Sequence, residues 1–196
     1  TKSLRIWSAG CCTGEEPYSL AILLDQMADQ LSGWSVEIVG TDLNPRFLEL
    51  ARDGVYTRWS LRAADDALIS QYFKKSGHNR FEIIPKIKRM VRFLPFNLAA
   101  GPGPQDFHPG LATCHLILCR NVLLYLSPEM IGRVVERLAR GLADGGWLIV
   151  SPSETAFVRS QNLAAVHFPG AILHRKELLA QPSVTQTARF CSLIRR

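Results

Sequence analysis

Two short apolar runs, Leu4–Ser8 and Val36–Gly40, each break at a turn and each lead into a segment with helical spacing. After the first, Glu15–Leu31 places Leu20, Ala21, Leu23, Leu24, Met27, Ala28 and Leu31 on a repeat of about 3.6 residues. After the second, Thr41-Asp42 leads to a helix opened by Pro45 and running to Ala51. Such alternation has few folded solutions. A right-twisted strand followed by a helix can return to its sheet only as a right-handed crossover to a parallel neighbour.

The centre of the chain is less regular. Tyr56–Lys75 reads as helical with breaks, and Arg80–Ile84 and Lys88–Phe93 flank Pro85 as the two arms of a hairpin. This gives a small β-subdomain at about 78–93. Asn97 to Thr113 is rich in Pro and Gly and reads as a loop. Regularity then returns with a buried-type strand, Cys114–Cys119. Ser127-Pro128-Glu129 follows as a helix start, Ser as cap and Pro in the first helical position. Ile131, Val134, Val135, Leu138 and Leu142 form the apolar stripe of that helix, which Gly145-Gly146 is expected to end before a strand over Trp147–Ser151. Val166–Phe168 and Ala171–His174 suggest a closing hairpin around Pro169-Gly170. The expectation is one α/β domain over 1–180, Rossmann-like, with a mostly parallel central sheet, helices on both faces and the small hairpin subdomain. Residues 181–196 read as a tail or linker.

At 196 residues the chain can bury a full core, and no apolar run approaches the roughly 20 residues of a membrane span. Membrane insertion is therefore not expected, nor is a signal peptide, because the basic-then-apolar opening is missing and Leu4–Trp7 is only strand length. The five cysteines, Cys11, Cys12, Cys114, Cys119 and Cys191, are an odd number, four of them in or beside core elements. That pattern suits reduced thiols in a cytoplasmic protein. Between Arg52 and Arg92 ten Lys/Arg face four Asp/Glu, an excess equal to the net charge of +6, so the remainder of the chain is neutral. The patch is either a solvated face or a docking surface for an acidic partner. No nucleic-acid module or basic–aromatic interleaving accompanies it.

The turn after the first strand reads Ser8-Ala9-Gly10-Cys11-Cys12-Thr13-Gly14-Glu15-Glu16-Pro17-Tyr18. Glycines between a strand and a helix let a ligand approach the backbone, and the helix start aims N–H groups at it. The pattern is not the G-x-G-x-x-G of a dinucleotide site, and two adjacent carboxylates would repel a diphosphate. They suit a ligand with a cationic end, such as an amino-acid ammonium. Thr13-x-x-Glu16 can be a capping box, or Glu16 can itself be the cap if Pro17 is the first helical residue. Either way Glu15 is the better partner for an ammonium. Asp42, at the tip of the second strand, is placed to accept two ribose hydroxyls, or alternatively to cap the helix that follows. Arg120 and Asn121 come directly after the Cys114–Cys119 strand, at the sheet edge where open α/β sheets bind ligands, and Tyr125 lies one helical turn further. Cys114, His115 and Cys119 read as packing rather than as metal ligands, because strand alternation sends Cys114 and His115 to opposite faces. Glu154, after the last parallel strand, either reaches the site rim or has a capping or solvated role.

The segments IWSAGCCTGEEPYSLAILL, VGTDLNPRFLELARDGVY, VRFLPFNL, LILCRNVLLYLSPEM and LADGGWLIVSPSE, in that order, resemble the catalytic domain of the CheR-type chemoreceptor glutamate methyltransferases. The resemblance runs from about Leu4 to Lys176, and TGEEPYS and CRNVLLYL are its most distinctive pieces. It implies S-adenosylmethionine as cofactor, S-adenosylhomocysteine as product, and esterification of glutamate side chains on the cytoplasmic domain of a methyl-accepting chemotaxis receptor; the chain itself is expected to be a monomer. Carried onto this sequence, it implies that Ala9, Gly10, Glu15, Asp42, Asn97, Leu98, Arg120 and Asn121 surround the cofactor. Glu15 stands near the methionyl amino group, Asp42 at the ribose and Asn97-Leu98 beside the adenine. Tyr125 and Arg120 are the expected catalytic residues, orienting the acceptor carboxylate, and the hairpin around Pro85 is the expected receptor-docking element. The family's smaller N-terminal helical domain is not among these residues, and Cys114-His115 replaces the family's usual Phe-Asp pair. The residues alone leave open methyl transfer to a small molecule, or cofactor sensing without turnover.

Overall fold

The computed structural model describes residues 2–100 and 108–177. The expected tail at 181–196, Cys191 and part of the Pro/Gly loop lie outside these residues. Parallel strands β1 (Ser3–Ala9), β2 (Ser35–Asp42), β6 (Val91–Pro95), β7 (Cys114–Cys119) and β8 (Leu142–Val150) form one sheet with the antiparallel β10 (Ala171–Lys176) and with β9 (Leu163–Phe168) at its edge. The spatial order is β6-β2-β1-β7-β8-β10-β9. Chain order therefore reverses between β1 and β7, and a crevice opens there at the carboxyl ends of the strands.

Strand alternation sorts the core into two layers. On one face Ile6, Ile38 and Leu118 pack under α1 (Glu15–Gln26) and α2 (Pro45–Asp53). On the other face Trp7, Val39, Ile117 and Leu148 meet the buried Val134, Val135 and Leu138 of α5 (Pro128–Gly141). Sequence signals set the helix starts. The Asn44 side chain accepts the Arg46 N–H, and the Ser127 hydroxyl accepts the Met130 N–H, each just ahead of a proline in the first turn.

The structure redraws the middle of the chain. Arg80–Ile84 and Lys88–Phe93 do not pair with each other. Strand β5 (Arg80–Ile83) lies between β3 (Val55–Thr57) and β4 (Phe73–Lys75) in a separate three-stranded antiparallel sheet, and β6 instead joins β2 in the main sheet. Between them Pro85 opens a short helix, α4 (Pro85–Lys88), rather than a hairpin turn. Burial decides the outcome: Phe93 packs edge-on against Tyr18 at 5.5 Å, a contact available only in the main sheet. The segment read as broken helix is β3, a turn region, α3 (Asp66–Tyr72) and β4; Tyr56 and Phe73 from the two outer strands meet at 6.3 Å.

Two boundaries also shift. The first helix stops at Gln26 and continues to Gly33 only as turns. Helix α5 ends at Gly141, so Gly145-Gly146 lies inside β8 rather than ending the helix. There the β7–β8 register is irregular between Cys114 and Leu116, and a Cβ on Gly146 would meet the Cys114 carbonyl at 3.0 Å.

Candidate functional site

The loop after β1 is shaped by three left-handed residues, Gly10 (φ 80°), Cys12 (φ 49°) and Gly14 (φ 90°). The Gly10 and Cys11 N–H groups both donate to the Thr41 carbonyl at 2.8 Å, which pins the loop to the end of β2. A Cβ on Gly10 would lie 2.4 Å from Val122 Cγ2, so the loops after β1 and β7 touch where only a glycine fits. Gly14 is the residue that caps α1, and Glu15 and Glu16 occupy the first turn, where the helix dipole favours negative charge.

Neither capping arrangement of the sequence forms. Thr13 donates its hydroxyl to Glu15 Oε2 at 2.6 Å, and Glu16 turns beneath the loop, where the fully buried Ser8 hydroxyl donates to its Oε1 at 2.7 Å. Arg120 Nη1 stands 3.6 Å from Glu16 Oε2. Burial pushes the Glu16 carboxyl above its ordinary value, against the opposing pull of Ser8 and Arg120. Glu15 is half-buried at the helix start, separate from this network.

Asp42 ends β2. Its Oδ2 accepts the Cys12 N–H at 2.9 Å and its Oδ1 the Asn44 N–H at 2.8 Å. The helix cap is Asn44, so Asp42 does not cap α2. Each of its oxygens keeps a free lone pair, the donor-accepting pattern that two neighbouring hydroxyls require. Next to β2, on the same side of the crevice, β6 ends at Pro95, the register partner of Asp42. Asn97 Oδ1 accepts the Ala99 N–H at 2.9 Å, and the Asn97, Leu98 and Ala100 carbonyls accept Arg137 at 2.9, 2.8 and 2.7 Å. Arg137 is 5% exposed, on the sheet-facing side of α5. Sequence reading missed it, although 137 lies three residues from Val134 and falls within the apolar stripe by spacing alone.

Beyond β7, Asn121 takes a left-handed conformation (φ 57°) and starts a turn that continues as a 3-10 segment, Leu123–Tyr125. Arg120, Asn121 and Tyr125 are exposed, Tyr125 by 80%. Beneath them lies Glu154, 0% exposed, whose carboxylate accepts the N–H groups of Asn121, Val122 and Leu123 at 2.7–2.8 Å. Burial alone would raise its pKa. The hydrogen bonds from the Ser151 hydroxyl and from the Asn121, Ser151 and Leu124 N–H groups outweigh that and hold it below the ordinary carboxylate range. The rim and solvated alternatives for Glu154 therefore give way to a capping role that extends across to a second loop.

The three buried thiols, Cys11, Cys114 and Cys119, are inert by environment. Burial pushes both Cys11 and Cys114 up to about 12, and burial raises Cys119 as well. Among the described residues no cluster of His, Cys, Asp and Glu could hold a metal ion, and no helix is long and apolar enough to cross a membrane. A cavity of about 350 Å³ opens beside α1, lined by Ile22, Tyr56, Leu61 and Phe73. Of the candidate residues it reaches only Glu15, so it is distinct from the crevice between β1 and β7.

The family described as "CheR methyltransferase, SAM binding domain" matches residues 1–169. The chain belongs to this family. Its cofactor is accordingly S-adenosylmethionine, whose hydroxyls and ammonium are donors that suit the acceptor oxygens of Asp42 and of the half-buried Glu15, with the side-chain-free Gly10 beside them. A chemotaxis protein methyltransferase of Vibrio parahaemolyticus is 34% identical over 157 residues, covering 79% of this chain and 55% of the relative. Chemotaxis protein methyltransferase 1 of Pseudomonas aeruginosa is 34% identical over 155 residues, covering 77% and 54%. The chain thus spans about half the length of the curated relatives it matches. A solved structure described as "Conversion of a Disulfide Bond into a Thioacetal Group during Echinomycin Biosynthesis" aligns over 98% of this chain and 82% of its own, with a TM-score of 0.52 at 12% identity, a likeness of fold alone.

Proposed function

We propose that this domain transfers the methyl group of S-adenosylmethionine to glutamate side chains on the cytoplasmic domain of a chemoreceptor. The products are glutamate methyl esters and S-adenosylhomocysteine. The reading rests above all on the placement of Asp42 and Arg120-Asn121 at the strand ends beside the switch point, with Glu15 in the first helical turn after β1, in a sheet whose family binds this cofactor. The names of the curated relatives support the chemotaxis context.

When bound, the cofactor supplies a sulfonium-activated methyl group. An acceptor glutamate is already ionised at neutral pH. As an O–CH₃ bond forms and the S–CH₃ bond breaks, the carboxylate becomes a neutral ester and the sulfonium a neutral thioether, and no proton moves. A general base is therefore unnecessary, consistent with the buried Cys11 and Cys119, whose thiols burial keeps protonated. What this chain contributes is positioning. Asp42 accepts the ribose hydroxyls, Glu15 the methionyl ammonium, and Ala9 and Gly10 allow close backbone approach. Asn97-Leu98 flank the adenine, held by Arg137. Asn121 lines the pocket, and Tyr125 and Arg120 orient the acceptor, with Glu16 restraining the guanidinium.

The test is incubation of the full-length protein with methyl-labelled cofactor and a chemoreceptor cytoplasmic fragment. Base-labile label on the fragment, lost with Asp42→Ala, is the expected result. Absence of label with protein that binds S-adenosylhomocysteine would overturn the acceptor assignment.

A further inference from the structure

Glu154 is a buried carboxylate with no cationic partner among its described contacts, neutralised by donors from two separate loops. Oε1 accepts Val122 N–H at 2.8 Å, Leu123 N–H at 2.8 Å and Leu124 N–H at 3.3 Å. Oε2 accepts Asn121 N–H at 2.7 Å, Ser151 N–H at 3.1 Å and the Ser151 hydroxyl. Successive N–H groups converge in this way when a left-handed residue is followed by a right-handed one, as Asn121 (φ 57°) is by Val122 (φ −118°, ψ −45°). Such a concavity is a nest, a backbone arrangement that captures anions. Here it is filled by the chain's own carboxylate, from a residue more than 30 positions away.

From this we infer that Glu154 is a positioning residue for methyl transfer: it fixes the 121–124 turn and thereby sets where Arg120, Asn121 and Tyr125 stand against cofactor and acceptor. The inference rests on the proposed function for its chemistry, but its geometry is independent of it. Without the carboxylate the four backbone donors of the turn would lose their acceptor at buried or part-buried positions, and the left-handed Asn121 would lose the bond its N–H makes there. The Ser151 interactions alone would make Glu154 an ordinary helix cap. The four N–H bonds to the β7 loop are what make it a link to the site.

The experiment compares wild type, Glu154→Gln and Ser151→Ala. Gln keeps the shape but turns an amide N–H₂ toward donors on one side of the clamp. Ser151→Ala weakens the cap and leaves the turn contacts in place. Positioning predicts that folded Glu154→Gln binds S-adenosylhomocysteine at least about 10-fold more weakly and loses about 100-fold in kcat, with acceptor KM changed only a few-fold, whereas Ser151→Ala stays within about 3-fold of wild type in both. A purely structural role predicts lower stability in both variants with unchanged turnover per folded molecule, and that result overturns the inference. Amide exchange in wild type decides the matter even if Glu154→Gln fails to fold. The Asn121, Val122 and Leu123 amides are expected to exchange as slowly as those of central strand β1, and exchange at the rate of an open loop overturns the inference. A wild type that binds no S-adenosylhomocysteine counts against the proposed function instead, and leaves the exchange measurement standing.

Discussion

Asp42 Oδ2 accepts the Cys12 N–H at 2.9 Å, so the residue proposed to hold the ribose also fastens the loop proposed to hold the methionyl end. Two parts of the site are thereby coupled through one carboxylate. Asp42→Ala removes the hydroxyl acceptors and releases Cys12 at once, and the expected loss of affinity for S-adenosylhomocysteine is about 100-fold or more. Asp42→Asn keeps one acceptor oxygen and is expected to lose about 10-fold. Calorimetry on both variants checks the order; equal, wild-type affinities would remove Asp42 from the site.

Gly10 carries two constraints that can be separated. Its φ of 80° costs any L side chain about 1 kcal/mol, and a Cβ would overlap Val122 Cγ2 at 2.4 Å, an overpacking cost of about 1–3 kcal/mol. Gly10→Ala is expected to lower stability by about 2–4 kcal/mol in urea unfolding. Adding Val122→Ala should recover the overpacking part and leave the backbone part. Recovery of none of it would mean that the two loops do not meet as described.

Arg137 gives three carbonyls of the 97–100 segment their donors from within the core. Arg137→Met keeps the apolar stem and leaves those acceptors unmatched, an expected loss of about 3 kcal/mol or more. Because the same carbonyls shape the proposed adenine side, cofactor affinity should fall alongside stability. A destabilised variant with unchanged affinity for S-adenosylhomocysteine would separate this segment from the site.

The parallel sheet was legible because buried strands such as Cys114–Cys119 and Trp147–Ser151 are apolar along their length and their turns carry Gly or Pro. The strand-tip residues Asp42, Arg120 and Asn121 followed from that sheet, since its carboxyl edge is a fixed place. What escaped was pairing at a distance. Arg80–Ile84 and Lys88–Phe93 have strand-like composition, but composition does not say that one joins a small sheet and the other the main one. Glu154 and Arg137 act on backbone 30–40 residues away, and no local spacing encodes such a partner. Glu16 was misread for the opposite reason: its local pattern matches a capping box, yet burial against Ser8 and Arg120 prevails.

Two buried groups make opposite predictions for pH. The Glu16 carboxyl is raised above 4.5 by burial, so its contribution to stability is present below that pH and is lost as pH rises through the folded value. Glu16→Gln should therefore gain on wild type between pH 4 and 7. His174 is 2% exposed, its Nδ1 lacks a hydrogen-bond partner among the described residues, and burial lowers its pKa below 6.5. Stability present above 6.5 is lost as pH falls through the folded value, so His174→Leu should gain on wild type as pH drops from 7 to 5. Urea midpoints measured across this range check both signs, and parallel curves for variant and wild type would refute either one.

Cys12 and Cys11 are adjacent but differ in exposure. Cys11 is buried, its thiol held at about 12, while Cys12 is exposed on the left-handed turn of the proposed cofactor loop. Brief treatment of the native protein with iodoacetamide near pH 7.5, followed by peptide mapping, should label Cys12 and spare Cys11, Cys114 and Cys119. The Cys12 N–H is held by Asp42, so a ligand seated on that carboxylate orders and covers this turn. Saturating S-adenosylhomocysteine should then slow Cys12 labelling several-fold without altering the buried thiols. An unchanged rate at full occupancy would place the cofactor away from this loop and sink the assignment of Gly10, Glu15 and Asp42 together.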